Sequence, residues 1–363
     1  MEKWIICLFF IFTACAYKQG EAKKDKDFYN IDFKPLLKKK MVEELRLDQW
    51  GKTIRYIPLE TTDSVHIESI KKIILEDGKL LAVHDSRLSL FNTEGRYLYD
   101  IGKNGEGETE YSRMFGLYLR NDTLFVVDGN YDFTRYGWDG TYRGKSYCPP
   151  IRHTLNFFLI PNTDIFLGHV DNYTGNKEVR FVFFRDTTAI KIIPNTERYE
   201  PASDGVIYSV PPEMKAFDGT ITAFKELFND TIYQVDKGLN LQPYAVVDLG
   251  KHKATKEAMF AHTVDQLMKK WDFFDGKIAL DAIGEKDGVI YLAHHDLSDP
   301  YVYSYDKAEG QAHYQKVSYP ENPYGFKKGS TFVPHFISTD GKYLIDFEIT
   351  ENGNNPVIVL VER

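Results

Sequence analysis

A two-residue turn signal recurs six times along this chain, and each time it opens a short run rich in β-branched and aromatic residues. Asp77-Gly78 precedes KLLAVHD, Asn121-Asp122 precedes TLFVVDG and Asn162-Thr163 precedes DIFLGHV. Asp218-Gly219 precedes TITAFKE, Asp287-Gly288 precedes VIYLAHH and Asp340-Gly341 precedes KYLIDFE. Such pairs serve tight hairpins because Gly, Asn and Asp tolerate the positive φ that these turns demand. The markers lie 41 to 69 residues apart, the period of a repeated supersecondary unit. The first unit shows its content as four short strands: SIKKIIL, KLLAVHD, LSLFN and, after Glu94-Gly95, RYLYDIG. In the fourth unit Asn229-Asp230 is a rival marker, but it leaves room for only one more strand, LQPYAVVDL. Asp218-Gly219 yields four, near 213–217, 220–227, 231–235 and 241–249.

Four antiparallel strands repeated six times predict an all-β, six-bladed β-propeller. The sixth unit supplies only FVPHFIS, KYLIDFE and PVIVLVE, whereas residues 53–60 (TIRYIPLE) form a strand with no unit of its own. Docked as the outer strand of the last blade, that N-terminal segment closes the ring and removes open edges. Pro58 suits an outermost strand, where one missing N–H costs little. A sandwich of irregular hairpins is the alternative, and it explains neither the missing strand nor the spare one. The 24 Tyr and 25 Phe also favour pleated surfaces over helix bundles. Two longer connections interrupt the rhythm. Residues 195–212 read as a loop with three prolines, and 253–271 carry Phe260, Val264, Leu267 and Trp271 at helical spacing, a helical insertion between blades four and five.

At the N-terminus, Met1-Glu2-Lys3 precedes an apolar stretch from Trp4 to Ala14, the length of a signal-peptide core and too short to span a bilayer. It ends Phe12-Thr13-Ala14-Cys15, which resembles the lipobox of bacterial lipoproteins and implies cleavage before Cys15 and lipidation of its thiol. An ordinary secretory signal is the other reading. The expected layout is a signal peptide over 1–14, then the lipidated Cys15 with a polar tether and N-terminal lead-in over 15–50, and the propeller over 51–363. Cys7 leaves with the signal, so Cys148 is the one thiol left in the domain and no disulfide framework exists. A net charge of −8 with no long basic run lacks the footprint of nucleic-acid binding.

The stretch 99–145, with its glycine-spaced loop IGKNGEGETEY, the strand end Val126 to Asp128 and the turn Asp139-Gly140, resembles an NHL-type repeat junction. With IRYIPLETTDS (54–64) ahead of it, the chain is similar, over about residues 30 to 361, to the six-bladed β-propeller lipoproteins of Bacteroidetes. That resemblance implies a cell-envelope location, lipid-anchored and at the outer membrane, but carries no settled activity.

Six residues beyond the turn markers stand His84, Asp128, His169, Lys225, His294 and Phe347. Strand alternation within a blade places these strand ends, the blade-to-blade connections and both long insertions on one face. A polar ring there is a candidate ligand-binding or metal-binding column, with calcium as a conceivable ion. The competing account has each side chain bonding backbone groups of the next turn, a repeated structural need. Tyr111, Arg113 and Tyr131 are candidates for an aromatic, hydrogen-bonding surface that stacks on sugars. The glycines at 102, 105 and 107 lack the Lys-Ser/Thr of a phosphate loop and open a strand rather than a helix. No G-x-S-x-G or H-E-x-x-H motif and no zinc-type Cys pair occurs. The leading expectation is a non-enzymatic binding module for a glycan, peptide or partner protein, with no cofactor. The alternative is a metal-dependent lactonase-like or lyase-like propeller enzyme that holds its metal at the channel mouth through residues such as His84, Asp128 or His294.

Overall fold

The computed structural model describes the chain from residue 28 onward, except 115, 121, 129–131, 148, 173–174, 199–213, 218–220, 257–273, 275, 296–298 and 322–323. Five elements come first: β1 (Tyr29–Asp32), α1 (Lys34–Lys39), β2 (Glu43–Arg46), α2 (Leu47–Trp50) and β3 (Thr53–Pro58). Blade one is β4 (Lys72–Glu76), β5 (Lys79–His84), β6 (Arg87–Asn92) and β7 (Tyr97–Asp100). Blade two is β8 (Gly116–Arg120), β9 (Thr123–Val127), β10 (Asp132–Gly137) and β11 (Tyr142–Tyr147). Blade three is β12 (Thr154–Leu159), β13 (Phe166–Val170), β14 (Val179–Arg185) and β15 (Thr188–Pro194). Blade four has β16 (Met214–Phe217), β17 (Ile221–Lys225), β18 (Thr231–Val235) and β19 (Leu241–Asp248). Blade five has β20 (Leu280–Lys286), β21 (Val289–His294), β22 (Val302–Asp306) and β23 (Gln311–Ser318). Blade six is β24 (Phe336–Ile337), β25 (Leu344–Glu348) and β26 (Val357–Glu362), completed by β3.

The turn chemistry explains this regularity. Asp77 and Gly78 sit at φ 49° and 71°, and Asp287 and Gly288 at 51° and 78°, the paired positive angles of the hairpin turn whose twist matches that of the strands. Residues 218–220 lie outside the described residues, yet β16 and β17 pair on either side of them. Alternation then does the packing. In β5, Leu80 and Ala82 face blade six, beside Ile345 and Ile358, while Leu81 and Val83 face blade two, beside Leu124 and Val126. Both faces of each blade are covered, so strands read as continuous apolar runs. Six inter-blade seams carry the core. Between blades three and four, the described residues buried in the seam are Leu167, Phe181, Phe183 and Phe224.

Closure follows the expected route. β3 pairs antiparallel with β26, Ile57 opposite Ile358, as the outer strand of blade six. The buried Asn355 side chain donates to the carbonyls of Glu60 (2.7 Å) and Val65 (3.1 Å) and accepts from the Ile67 amide (2.7 Å), which ties the exit of β3 to blade one. Gly95, at φ 83°, lets the β6–β7 turn approach so closely that a Cβ would sit 2.0 Å from the Pro58 carbonyl oxygen.

The lead-in is folded onto the ring from Tyr29 onward. β1 adds in parallel to β19, Ile31 opposite Val247, and β2 adds in parallel to β23, Leu45 opposite Val317. Residues 29–58 thus run along the outer edges of blades four, five and six in order. Ile31, Phe33, Leu47 and Trp50 are buried beneath this strap, and Trp50 Nε1 donates to Gln315 at 3.0 Å. The helical insertion expected over 253–271 falls mostly within 257–273, outside the described residues, as do the signal peptide, Cys15 and Cys148. No helix among the described residues is long and apolar enough to cross a membrane.

Candidate functional site

In every blade the turn between second and third strands shares one end of the ring with the connection to the next blade. The five polar residues of the counted column all lie at that end and are all buried. His84 Nε2 is 2.8 Å from Ser89 Oγ, Ser89 donates to Asp100 at 2.6 Å, and Arg87 Nε donates to the same carboxylate at 2.9 Å. Burial holds the His84 imidazole below its ordinary pKa. Asp128 lies 3.5 Å from the Thr134 hydroxyl. Lys225 Nζ donates to the carbonyls of Glu226, Leu227 and Leu280 at 3.2, 3.2 and 2.8 Å, and burial pulls its pKa down to about 8. His294 Nε2 is 3.3 Å from the Lys277 carbonyl. Lys225 and His294 therefore latch the start of blade five.

His169 differs. Its ring packs on Phe181 at 5.3 Å, and its buried Nδ1 has no hydrogen-bond partner among the described residues. Burial lowers its pKa, so the ring is neutral near pH 7. Oδ1 of Asp171, two residues on, is also buried without a partner among the described residues. In blade six the turn before β25 is longer. The buried polar group on that strand is Asp346, in the middle of β25 and one residue ahead of the counted Phe347, and it accepts from the Val333 amide, the Tyr319 hydroxyl and His335 Nδ1 at 2.9, 3.2 and 2.9 Å. Glu348 follows, its pKa pushed up to about 8 by burial and by the Asp346 carboxylate.

One expectation needs correction. Tyr111 is not part of an exposed stacking surface: it is 1% exposed, donates to the Ser86 carbonyl at 3.0 Å and packs edge-on against Tyr136 in the seam between blades one and two. Burial pushes its phenol pKa up. Arg113 is exposed, and Tyr131 lies outside the described residues. His84, Asp128 and His294 stand at the ends of the second strands of three different blades, and among the described residues no three His, Cys, Asp or Glu side chains are grouped to hold an ion. The glycine loop has a packing role: a Cβ on Gly102 would lie 2.5 Å from the Tyr136 ring.

The residues beside His169 make a constellation that no local motif announces. Arg180 on β14 grips Glu226 across the seam between blades three and four, Nε to Oε1 at 3.0 Å with a second, shorter contact from its terminal nitrogen to Oε2. The same guanidinium lies 3.3 Å from Glu197, which in turn pairs with Lys256 at 3.4 Å. Asn172 donates to the Glu197 carbonyl at 3.1 Å. Glu197 is on the stem of the connection that continues into 199–213, and Lys256 is on the stem of the one that continues into 257–273. Both long connections leave the ring from one spot, at the blade three to blade four junction.

A closed ring of six antiparallel blades, with one loop-bearing end and an N-terminal closing strand, defines a six-bladed β-propeller. By sequence the chain belongs to the family described as a domain of unknown function, DUF4934, matched over residues 28–361. No curated protein matches the sequence. Among solved structures, a protein of Bacteroides fragilis described as a candidate exported protein is similar, with a TM-score of 0.64 at 14% identity, over 93% of this chain and 100% of that one. A member of the DUF4221 family from Bacteroides vulgatus has a TM-score of 0.53 at 11% identity, over 86% of this chain and 97% of that one. At such identities the likeness is one of fold.

Proposed function

We propose that this chain is a cell-envelope propeller that serves as a binding module for a glycan, a peptide or a partner protein, anchored at the outer membrane through lipid on Cys15. The convergence of both long connections on the Arg180, Glu226, Glu197 and Lys256 cluster carries the binding reading. There, charged and hydrogen-bonding groups lie beside a buried imidazole nitrogen that has no hydrogen-bond partner among the described residues. Loops held by a rigid scaffold are where binding surfaces usually reside. Export is supported by the signal-like N-terminus and by the description of the Bacteroides fragilis relative. The lactonase-like or lyase-like reading needs a metal gripped by His84, Asp128 and His294, and their separate placements do not favour it.

Thermal unfolding against a panel of oligosaccharides, peptides and, after EDTA, calcium and zinc tests this. A ligand of the native state raises the midpoint by mass action. The expected result is a shift with one ligand class that Glu197→Lys abolishes. A shift with calcium or zinc alone, lost in His84→Ala and His294→Ala but kept in Glu197→Lys, would overturn the proposal in favour of the metal site.

A further inference from the structure

We infer that the seam between blades two and three contains a second, separate binding site, for a small arene carboxylate, at the opposite end of the ring from the long connections. A cavity of about 270 Å³ opens there. Its floor is a triad of rings from Phe125, Phe133 and Phe166, with centroids 5.9 to 6.4 Å apart. Two guanidinium groups flank it, Arg120 at the end of β8 and Arg135 on β10. Arg135 sits opposite Phe125 in the ladder, so their side chains share the face that looks into the cavity. Nε of Arg135 is buried with no hydrogen-bond partner among the described residues. A cationic donor left unmatched is costly, and the side chain that carries it is part of the cavity lining.

The chemistry of these walls selects the occupant. Phenyl rings set edge-on and tilted to one another accept a further flat apolar ring in the same geometry, and a guanidinium fork matches a carboxylate with paired donors. Asp186, on the β14–β15 turn, also lines the cavity. Nearby Arg185 is already committed to Asp164 at 2.6 Å, leaving Arg120 and Arg135 as the cationic walls. The volume falls just under the roughly 300–1,000 Å³ of typical ligand pockets. One ring with its anionic group fits, whereas an oligosaccharide or folded peptide does not.

The test is calorimetric titration of the full chain with benzoate, benzyl alcohol and acetate. Benzoate should bind saturably below about 10 mM, with benzyl alcohol and acetate each at least about tenfold weaker, since one lacks the charge and the other the ring. Arg135→Gln should weaken benzoate on the order of 10- to 100-fold, the usual worth of a charge-assisted hydrogen bond. Arg120→Gln, nearer the open end, should act in the same direction and stands in if Arg135→Gln fails to fold. Equal binding of benzoate and benzyl alcohol, no saturable benzoate binding, or unchanged affinity in the folded variants would each overturn the assignment.

Discussion

Phe33→Ala measures whether the N-terminal strap is a structural part of the ring. Phe33 is completely buried, its ring edge-on to Tyr303 at 5.4 Å, in a cluster with Ile31, Leu37, Tyr244 and Leu249 that joins the strap to blades four and five. Truncating a buried Phe to Ala costs about 3–5 kcal/mol, including the cavity left behind. Unfolding entropy of about 2.1 cal/mol/K per residue over about 330 residues is about 0.7 kcal/mol/K, so the midpoint should fall by about 4–7 °C. Calorimetry together with proteolysis near residue 40 reads both the size and the number of transitions. A single transition lowered by that amount is expected. An unchanged main midpoint with a small early transition would refute the account, because the strap would then detach while the ring persists.

Glu348→Gln should flatten the pH dependence of stability. A carboxyl raised in the folded state stabilises below its unfolded pKa, and that contribution is lost as pH rises through the folded value, here between about 4.5 and about 8. At about 1.4 kcal/mol per pKa unit the upper limit is about 5 kcal/mol, so in urea titrations the variant should match the wild type at pH 4 and exceed it at pH 9. Gly95→Ala places a Cβ against the Pro58 carbonyl at a φ of 83° and should destabilise by about 2 kcal/mol or more, with faster hydrogen exchange in β3. Arg180→Ala leaves the half-buried Glu226 without its main partner and should cost about 3–5 kcal/mol. Arg180→Met with Glu226→Leu should recover most of that loss in thermal unfolding.

Much of the ring was legible because its information is local. A hairpin needs two residues with positive φ, and Asp-Gly and Asn-Asp declare them in the chain itself. The spare strand at residues 53–60 was legible by subtraction from the short sixth unit. The parallel strands β1 and β2 were not, since each needs no hairpin turn and buries little more than one side chain, such as Ile31 or Leu45. Positions along the second strands located the polar column, yet the depth of its side chains was hidden. Both faces of a propeller blade are covered, so alternation cannot separate inside from outside, and Tyr111 went to a seam for the same reason. The cluster at Arg180 and Glu226 joins residues 46 apart in sequence, and such pairing leaves no trace in either neighbourhood.

Hydrogen exchange of the full chain, with and without the ligand that raises its melting midpoint, tests the binding face most directly. Slower exchange confined to residues near 167–172, 195–198 and 250–256 is the predicted result. Protection spread evenly around the ring, or centred on the strand ends at His84, Asp128 and His294, would contradict a site at the blade three to blade four junction.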